Sequence, residues 1–217
     1  ATSPVPCSVV MPTTQTACSG VNLGAFSDAF DDSEIHPCKW NQNLNANATL
    51  TETTKLVITG HSNGTTSGAS IDCEATLDGE FTAEVDFSGI VGFEAAGGHS
   101  GAWYFFYMSV SIGGNTYGVY VGEMTVAFPS STANTGVWYY DSITDAETNH
   151  TGSETTSGTI KIDRTGTTLT LYFNGTSLAT YTVSATADAT ITTGTNCRTL
   201  SSGDVMTADI TDFTISD

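Results

Sequence analysis

The chain has 217 residues, in which 23 Asp and Glu face 5 Lys and Arg for a formal net charge of -18. A surface this acidic repels phosphate backbones and anionic membranes, so nucleic acid is excluded as a partner and cations or neutral ligands are favoured. No apolar run approaches the roughly 20 residues that a bilayer-spanning helix needs, so membrane insertion is not expected.

Residues 1–22 (ATSPVPCSVVMPTTQTACSGVN) combine Pro and Cys with little alternation, which reads as a short N-terminal arm. Ala1 followed by Thr-Ser-Pro fits a secreted chain whose signal peptide has been removed. Ser8 to Met11 suits a short strand that adds to a sheet edge of its own chain or of a neighbouring copy. Five cysteines, Cys7, Cys18, Cys38, Cys73 and Cys197, in so Lys-poor a chain favour an oxidising, extracellular setting. Their odd number leaves one thiol over, and the connectivity stays open. A Cys7–Cys18 bridge would staple the arm locally, whereas one to Cys38, Cys73 or Cys197 would tie it to the body. Zinc is the rival use, but no pair has the close Cys-x-x-Cys spacing of structural zinc sites.

Residues 23–217 read as one all-β domain. Short runs rich in Val, Ile, Thr, Tyr and Phe alternate with Gly, Asn, Asp and Ser turns, the pattern of an antiparallel two-sheet sandwich. Strands are expected at Thr49–Thr59, Ala69–Ala75, Phe81–Phe87, Trp103–Ile112, Tyr117–Phe128, Val137–Tyr140, Thr159–Arg164, Thr168–Phe173, Leu178–Val183 and Ala208–Ile215. Gly113-Gly114-Asn115, Thr165-Gly166 and Asn174-Gly175 supply hairpin turns. The period of two places Phe81, Ala83, Val85 and Phe87 inward and Thr82, Glu84 and Asp86 outward. Trp103 to Val110 is apolar at nearly every position, which marks a central strand covered on both faces.

Three stretches carry a family resemblance. Phe26 to Trp40 (FSDAFDDSEIHPCKW) resembles the opening strand of concanavalin A-like and laminin G-like domains, with its F-S-D-x-F segment, acidic turn and Trp. Leu56 to Thr59 and Phe81 to Phe87 (FTAEVDF) are similar to that family's paired strands. Gly158 to Gly175 (GTIKIDRTGTTLTLYFNG) is similar to its G-T-x-x-I-x-R hairpin, and Ala208 to Ile215 to its closing strand. The resemblance implies a jelly roll whose first and last strands pair, bringing Asp28-Ala29-Phe30 beside Asp212-Phe213. It specifies a fold and leaves the ligand open.

The same resemblance frames the candidate sites. Laminarinase-type hydrolases of this fold carry a Glu-x-Asp-x-(x)-Glu strand that aims three carboxylates into a glycan cleft, and Glu84 and Asp86 match its first two positions. The third is missing, since Ser88, Gly89 and Ile90 follow. His36, His61, His99 and His150 fall in separate turns, and no Gly-x-Ser-x-Gly elbow presents a nucleophile. Trp138 and Tyr140, with Tyr120 and Trp103, are candidate glycan contacts, because aromatic rings stack on the CH-rich faces of sugars. Tyr104, Tyr107 and Tyr139 belong to the same aromatic pool, and packing is the competing use of all of them. Asp28, Asp31 and Asp212 are candidate ligands of a structural calcium ion, which needs about six to eight oxygens. Asn47, Asn63, Asn149 and Asn174 head N-x-Ser/Thr sequons and are candidate glycosylation sites.

Together these features favour a non-catalytic extracellular binding or adhesion module whose partner is a carbohydrate or an extracellular protein. Two alternatives stay open: a structural subunit that self-assembles through residues 1–22, and a glycoside hydrolase with Glu84 or Asp86 in its cleft.

Overall fold

A strand whose apolar residues recur every second position can bury one face only, so two such sheets must cover each other. The computed structural model, which describes residues 26–37, 39–45, 48–61, 67–73, 77–92, 103–124, 134–151, 155–198 and 205–216, has this form and no helix among the described residues. Its strands are β1 (Phe26–Asp28), β2 (Trp40–Leu44), β3 (Ala48–Glu52), β4 (Leu56–His61), β5 (Ser67–Cys73), β6 (Phe81–Val91), β7 (Trp103–Ile112) and β8 (Asn115–Met124). They continue with β9 (Asn134–Asp141), β10 (Ala146–Thr151), β11 (Gly158–Thr165), β12 (Thr168–Phe173), β13 (Thr176–Thr182), β14 (Ala189–Arg198) and β15 (Val205–Ser216).

Sheet A has the order β13-β12-β11-β6-β15-β4-β3, with β1 also pairing to β15, and sheet B has the order β10-β9-β8-β7-β14-β5-β2. Every pairing is antiparallel. The expected alternation of β6 holds, with Phe81, Ala83, Val85 and Phe87 buried and the residues between them less so. They meet Phe106, Met108 and Val110 of β7 and Val119 and Val121 of β8 in one continuous core. Phe87 and Phe106 join the two sheets directly, their ring centroids 4.7 Å apart.

The first and last strands pair as expected, with Phe26 opposite Ile215 and Asp28 opposite Phe213. Trp40 locks this corner: its ring lies 4.7 Å from Phe213 and 5.6 Å from Phe30, centroid to centroid. The Trp40 indole N–H donates to Asp28 Oδ2 at 2.8 Å, and the Phe30 N–H donates to Asp28 Oδ1 at 3.1 Å.

Several expectations change. The single strand expected over Thr49–Thr59 is the β3–β4 hairpin, closed by Thr53, Thr54 and Lys55, where the Thr53 N–H reaches the Lys55 carbonyl. β2, β10 and β14 were not anticipated. β14 lies at the centre of sheet B, yet its inward positions include Thr193 and Thr195, so it lacks the apolar alternation that marks a buried strand. Cys73 and Cys197 are both buried on adjacent strands. Because Asp72 pairs with Thr192, Cys73 and Cys197 sit near opposite ends of the β5–β14 ladder. That offset is about 20 Å at about 3.4 Å per residue, which rules out a bridge between them. Cys7, Cys18, Cys38 and the arm of residues 1–22 lie outside the described residues.

Arg164, from the G-T-x-x-I-x-R stretch, is 1% exposed and spans two carbonyls of the β13–β14 connection, Ala187 O at 2.7 Å and Ser184 O at 2.8 Å. Removing it leaves both carbonyls without their donor and a cavity below them. Arg164→Ala should therefore lower stability by about 3 kcal/mol, read from the urea midpoint. Arg164→Lys, whose single ammonium cannot serve both carbonyls as a planar fork does, should recover only part of this loss.

Candidate functional site

The outer side of sheet B carries a band of aromatic residues. Because β7 is apolar at almost every position, its alternate residues Trp103, Phe105 and Tyr107 point away from the core that Tyr104, Phe106 and Met108 enter. The ladder then sets their neighbours: Tyr107 pairs with Tyr120 of β8, Tyr120 with Trp138 of β9, and Trp103 with Met124. Gly118 keeps room for the rings, since a Cβ there would lie 3.0 Å from the Tyr120 ring. Tyr140, opposite Gly118, completes the band.

The rings form a stack across the strands. Tyr107 and Tyr120 are 5.6 Å apart at 18°, and Tyr120 and Trp138 are 6.0 Å apart at 11°. Phe105 meets Tyr120 edge-on at 5.3 Å, and Tyr140 meets it edge-on at 6.4 Å. Stacking hides ring faces from solvent, and Trp138 and Trp103 are only 1% and 7% exposed, forming a second small core with Met124. Of the four aromatic residues singled out from the sequence, these two tryptophans are therefore the floor of the site. Tyr120 and Tyr140 stay partly exposed, as do Phe105 and Tyr107. Phe105 was missed, although its spacing of two from Trp103 and Tyr107 was the available signal.

Polar groups border the band on both sides. The Trp103 indole donates to Asn196 Oδ1 at 2.7 Å, and the Arg198 guanidinium lies 5.2 Å from the Trp103 ring centroid. The Tyr107 hydroxyl hydrogen-bonds with Ser70, and the Asn43 amide donates to Asp72. Tyr140 donates to Asp145 Oδ1 at 3.1 Å. Burial pushes the phenols of Tyr107, Tyr120 and Tyr140 above the ordinary tyrosine range, with nearby acidic groups adding to the effect, so all three stay neutral donors at neutral pH.

Glu84 and Asp86 do not join this site. They project from the outer side of β6 in sheet A, where Val85 between them fills the core. Glu84 pairs in register with Lys161, and Asp86 accepts from the Thr159 hydroxyl. In sheet B, no described strand carries more than one Asp or Glu. Glu123 of β8 is buried beside Tyr104 on the core side, the outward carboxylates of the described strands are Asp72 and Glu147, and Asp145 of the β9–β10 turn joins Glu147 beside Tyr140. Asp72 and Glu147 are five strands apart, about 24 Å at about 4.8 Å per strand.

The calcium candidates do not assemble either. Asp28 faces the core opposite Phe213, whereas Asp212 precedes that residue and points out of the other side of the sheet. The Asp28 carboxylate is already engaged by Phe30, Trp40 and Lys39. Asp28, Asp31 and Asp212 therefore do not fit a calcium ion, and no group of three or more potential metal ligands occurs among the described residues. Of the sequons, Asn149 directs its amide to the carbonyls of Thr151 and Val137, and Asn174 sits in the β12–β13 turn at φ 46° with its side-chain oxygen accepting from Thr159 N–H. Asn47 and Asn63 lie outside the described residues.

No family model matches the chain, and no curated protein matches it. Solved structures do match its fold. A glycosyl hydrolase family protein from Mycobacterium fortuitum is 12% identical at a TM-score of 0.62, covering 90% of this chain and 100% of that one. A LamA variant from Zobellia galactanivorans in complex with laminaritriose and laminaritetraose is 11% identical at 0.55, covering 88% and 98%. The Bacillus licheniformis β-glucanase is 12% identical at 0.55, covering 89% and 98%. The chain is thus an all-β, concanavalin A-like jelly roll.

A buried floor and an exposed rim respond differently to truncation. Trp138→Ala should cost about 3 to 5 kcal/mol by opening a cavity. Tyr140→Phe, which loses one surface hydrogen bond, should cost no more than about 1 kcal/mol. Equal thermal shifts for the two variants would show that the band is not layered in this way.

Proposed function

We propose that the outer face of sheet B binds a neutral carbohydrate, and that the chain is a non-catalytic extracellular binding module. The observation that carries this reading is the band of partly exposed Phe105, Tyr107, Tyr120 and Tyr140 beside Asn196, Ser70 and Asn43. A sugar offers CH patches to rings and hydroxyls to amides and phenols, and this face supplies both kinds of partner. The names of the structural neighbours, among them a complex with laminaritriose and laminaritetraose and a β-glucanase, support β-glucans as the first ligands to test.

Glycoside hydrolysis is the second reading, and the neighbours' names favour it directly. Hydrolysis needs two carboxyl groups about 5 to 10 Å apart. Asp72 is much farther than that from Glu147, and the other carboxylate beside Tyr140, Asp145, shares the β9–β10 hairpin with Glu147 and accepts from the Tyr140 hydroxyl, so the reading rests on the likeness of fold.

Isothermal titration with laminari-oligosaccharides and other β-glucans should detect binding that Tyr107→Ala or Tyr140→Ala weakens roughly tenfold, the loss of about 1.4 kcal/mol. Glu84→Gln and added calcium should leave the affinity unchanged. Absence of binding across the panel rejects the binding module. Reducing ends released by the wild type and abolished by Asp72→Asn or Glu147→Gln would establish hydrolysis instead.

A further inference from the structure

The loop leaving β1 is held in a conformation that its own residues disfavour. Phe30 and Ser33 have φ of 51° and 67°, in the left-handed region that costs a side chain about 1 kcal/mol or more. Contacts elsewhere must hold it. Phe30 is fully buried against Trp40, and the Ser33 hydroxyl donates to the Thr53 carbonyl of the β3–β4 hairpin at 3.2 Å.

Between these two anchors, a pair of carboxyl groups converges on one backbone N–H. Glu34 N–H faces Asp32 Oδ1 at 3.1 Å and Glu52 Oε1 at 3.2 Å. Glu52, the last residue of β3, is 7% exposed, and its second oxygen, Oε2, is buried without a hydrogen-bond partner. Two ionised carboxylates cannot share one donor without strong repulsion, and a proton between them removes it. The buried Glu52 is then the neutral member of the pair, and the exposed Asp32 is the charged one.

We propose that this contact is a pH-released latch, which fastens loop 29–37 to the β3–β4 hairpin while Glu52 is protonated and lets go when it ionises.

The surrounding charges act in this direction. Burial, the hydrogen bond to Asp32 and the charges of Asp32 and Asp28 push Glu52 up to about 7, offset in part by Glu34 N–H. The bond to Glu52 holds Asp32 below its ordinary value, helped by Lys39 and His36. Lys55, on the same hairpin, is taken by Asp209. Because Glu52 titrates higher in the closed loop than the ordinary 4.5, the latch is strongest below that pH. It weakens between 4.5 and about 7 and stays weak above.

Amide hydrogen exchange of residues 30–36, corrected for intrinsic rates, tests this on the intact chain. Protection should fall at least about tenfold between pH 5 and pH 8 in the wild type. It should stay level in Glu52→Gln, which keeps a donor toward Asp32, and Asp32→Asn should retain protection at pH 8. Equal wild-type protection at both pH values overturns the latch. So does an undiminished fall in Glu52→Gln, or a Glu52 carboxyl that titrates by NMR at the ordinary glutamate value.

Discussion

The two-residue period of a strand is the constraint on which the rest of this molecule depends. Each strand offers two faces, and the sandwich between sheets A and B consumes one of them. Where a strand is apolar on both faces, the second has to find its own cover. β7, β8 and β9 meet that demand by packing Trp103, Met124 and Trp138 into a satellite core, with Phe105 and Tyr120 against it. The candidate site is what remains of that second face at the surface. Its aromatic character follows from this packing, since the buried tryptophans that the sheet ladder positions also support the exposed rings.

The scarcity of cations constrains the chemistry as strongly. Each of the five basic residues has a partner within the fold. Lys39 joins Asp28, Lys55 joins Asp209, Lys161 lies over Tyr172, Arg198 lies over Trp103, and Arg164 is sunk among carbonyls. An anionic ligand would meet a strongly negative molecule with few cations to receive it. A neutral polyhydroxylated ligand meets no such barrier. The same imbalance makes proton sharing valuable where carboxyl groups are forced together, as at Asp32 and Glu52.

Much of the fold was legible because local pattern and tertiary role agreed. Phe81 to Phe87 alternates cleanly, Asn174-Gly175 turns tightly, and the opening and closing strands pair within a residue or two of where their similarity to known jelly rolls implied. β14 was not legible, because Thr193 and Thr195 occupy core positions without being apolar. The β3–β4 hairpin was hidden for a related reason: Thr53, Thr54 and Lys55 turn the chain without a Gly, Asn or Pro to announce it.

By itself, the sequence determined that the chain is an acidic, all-β sandwich with an aromatic central strand, because alternation, turn chemistry and charge are local properties. Tertiary structure alone decided which sheet each strand joined, and that assignment parts Glu84 and Asp86 from the aromatic face. It also turned Trp103 and Trp138 from candidate contacts into a floor, and set Asp28 and Asp212 on opposite faces. The physical reason is the same in each case. Side-chain direction follows from the pattern within a strand, but sheet order and register arise from pairings between residues far apart in the chain, which no local pattern encodes.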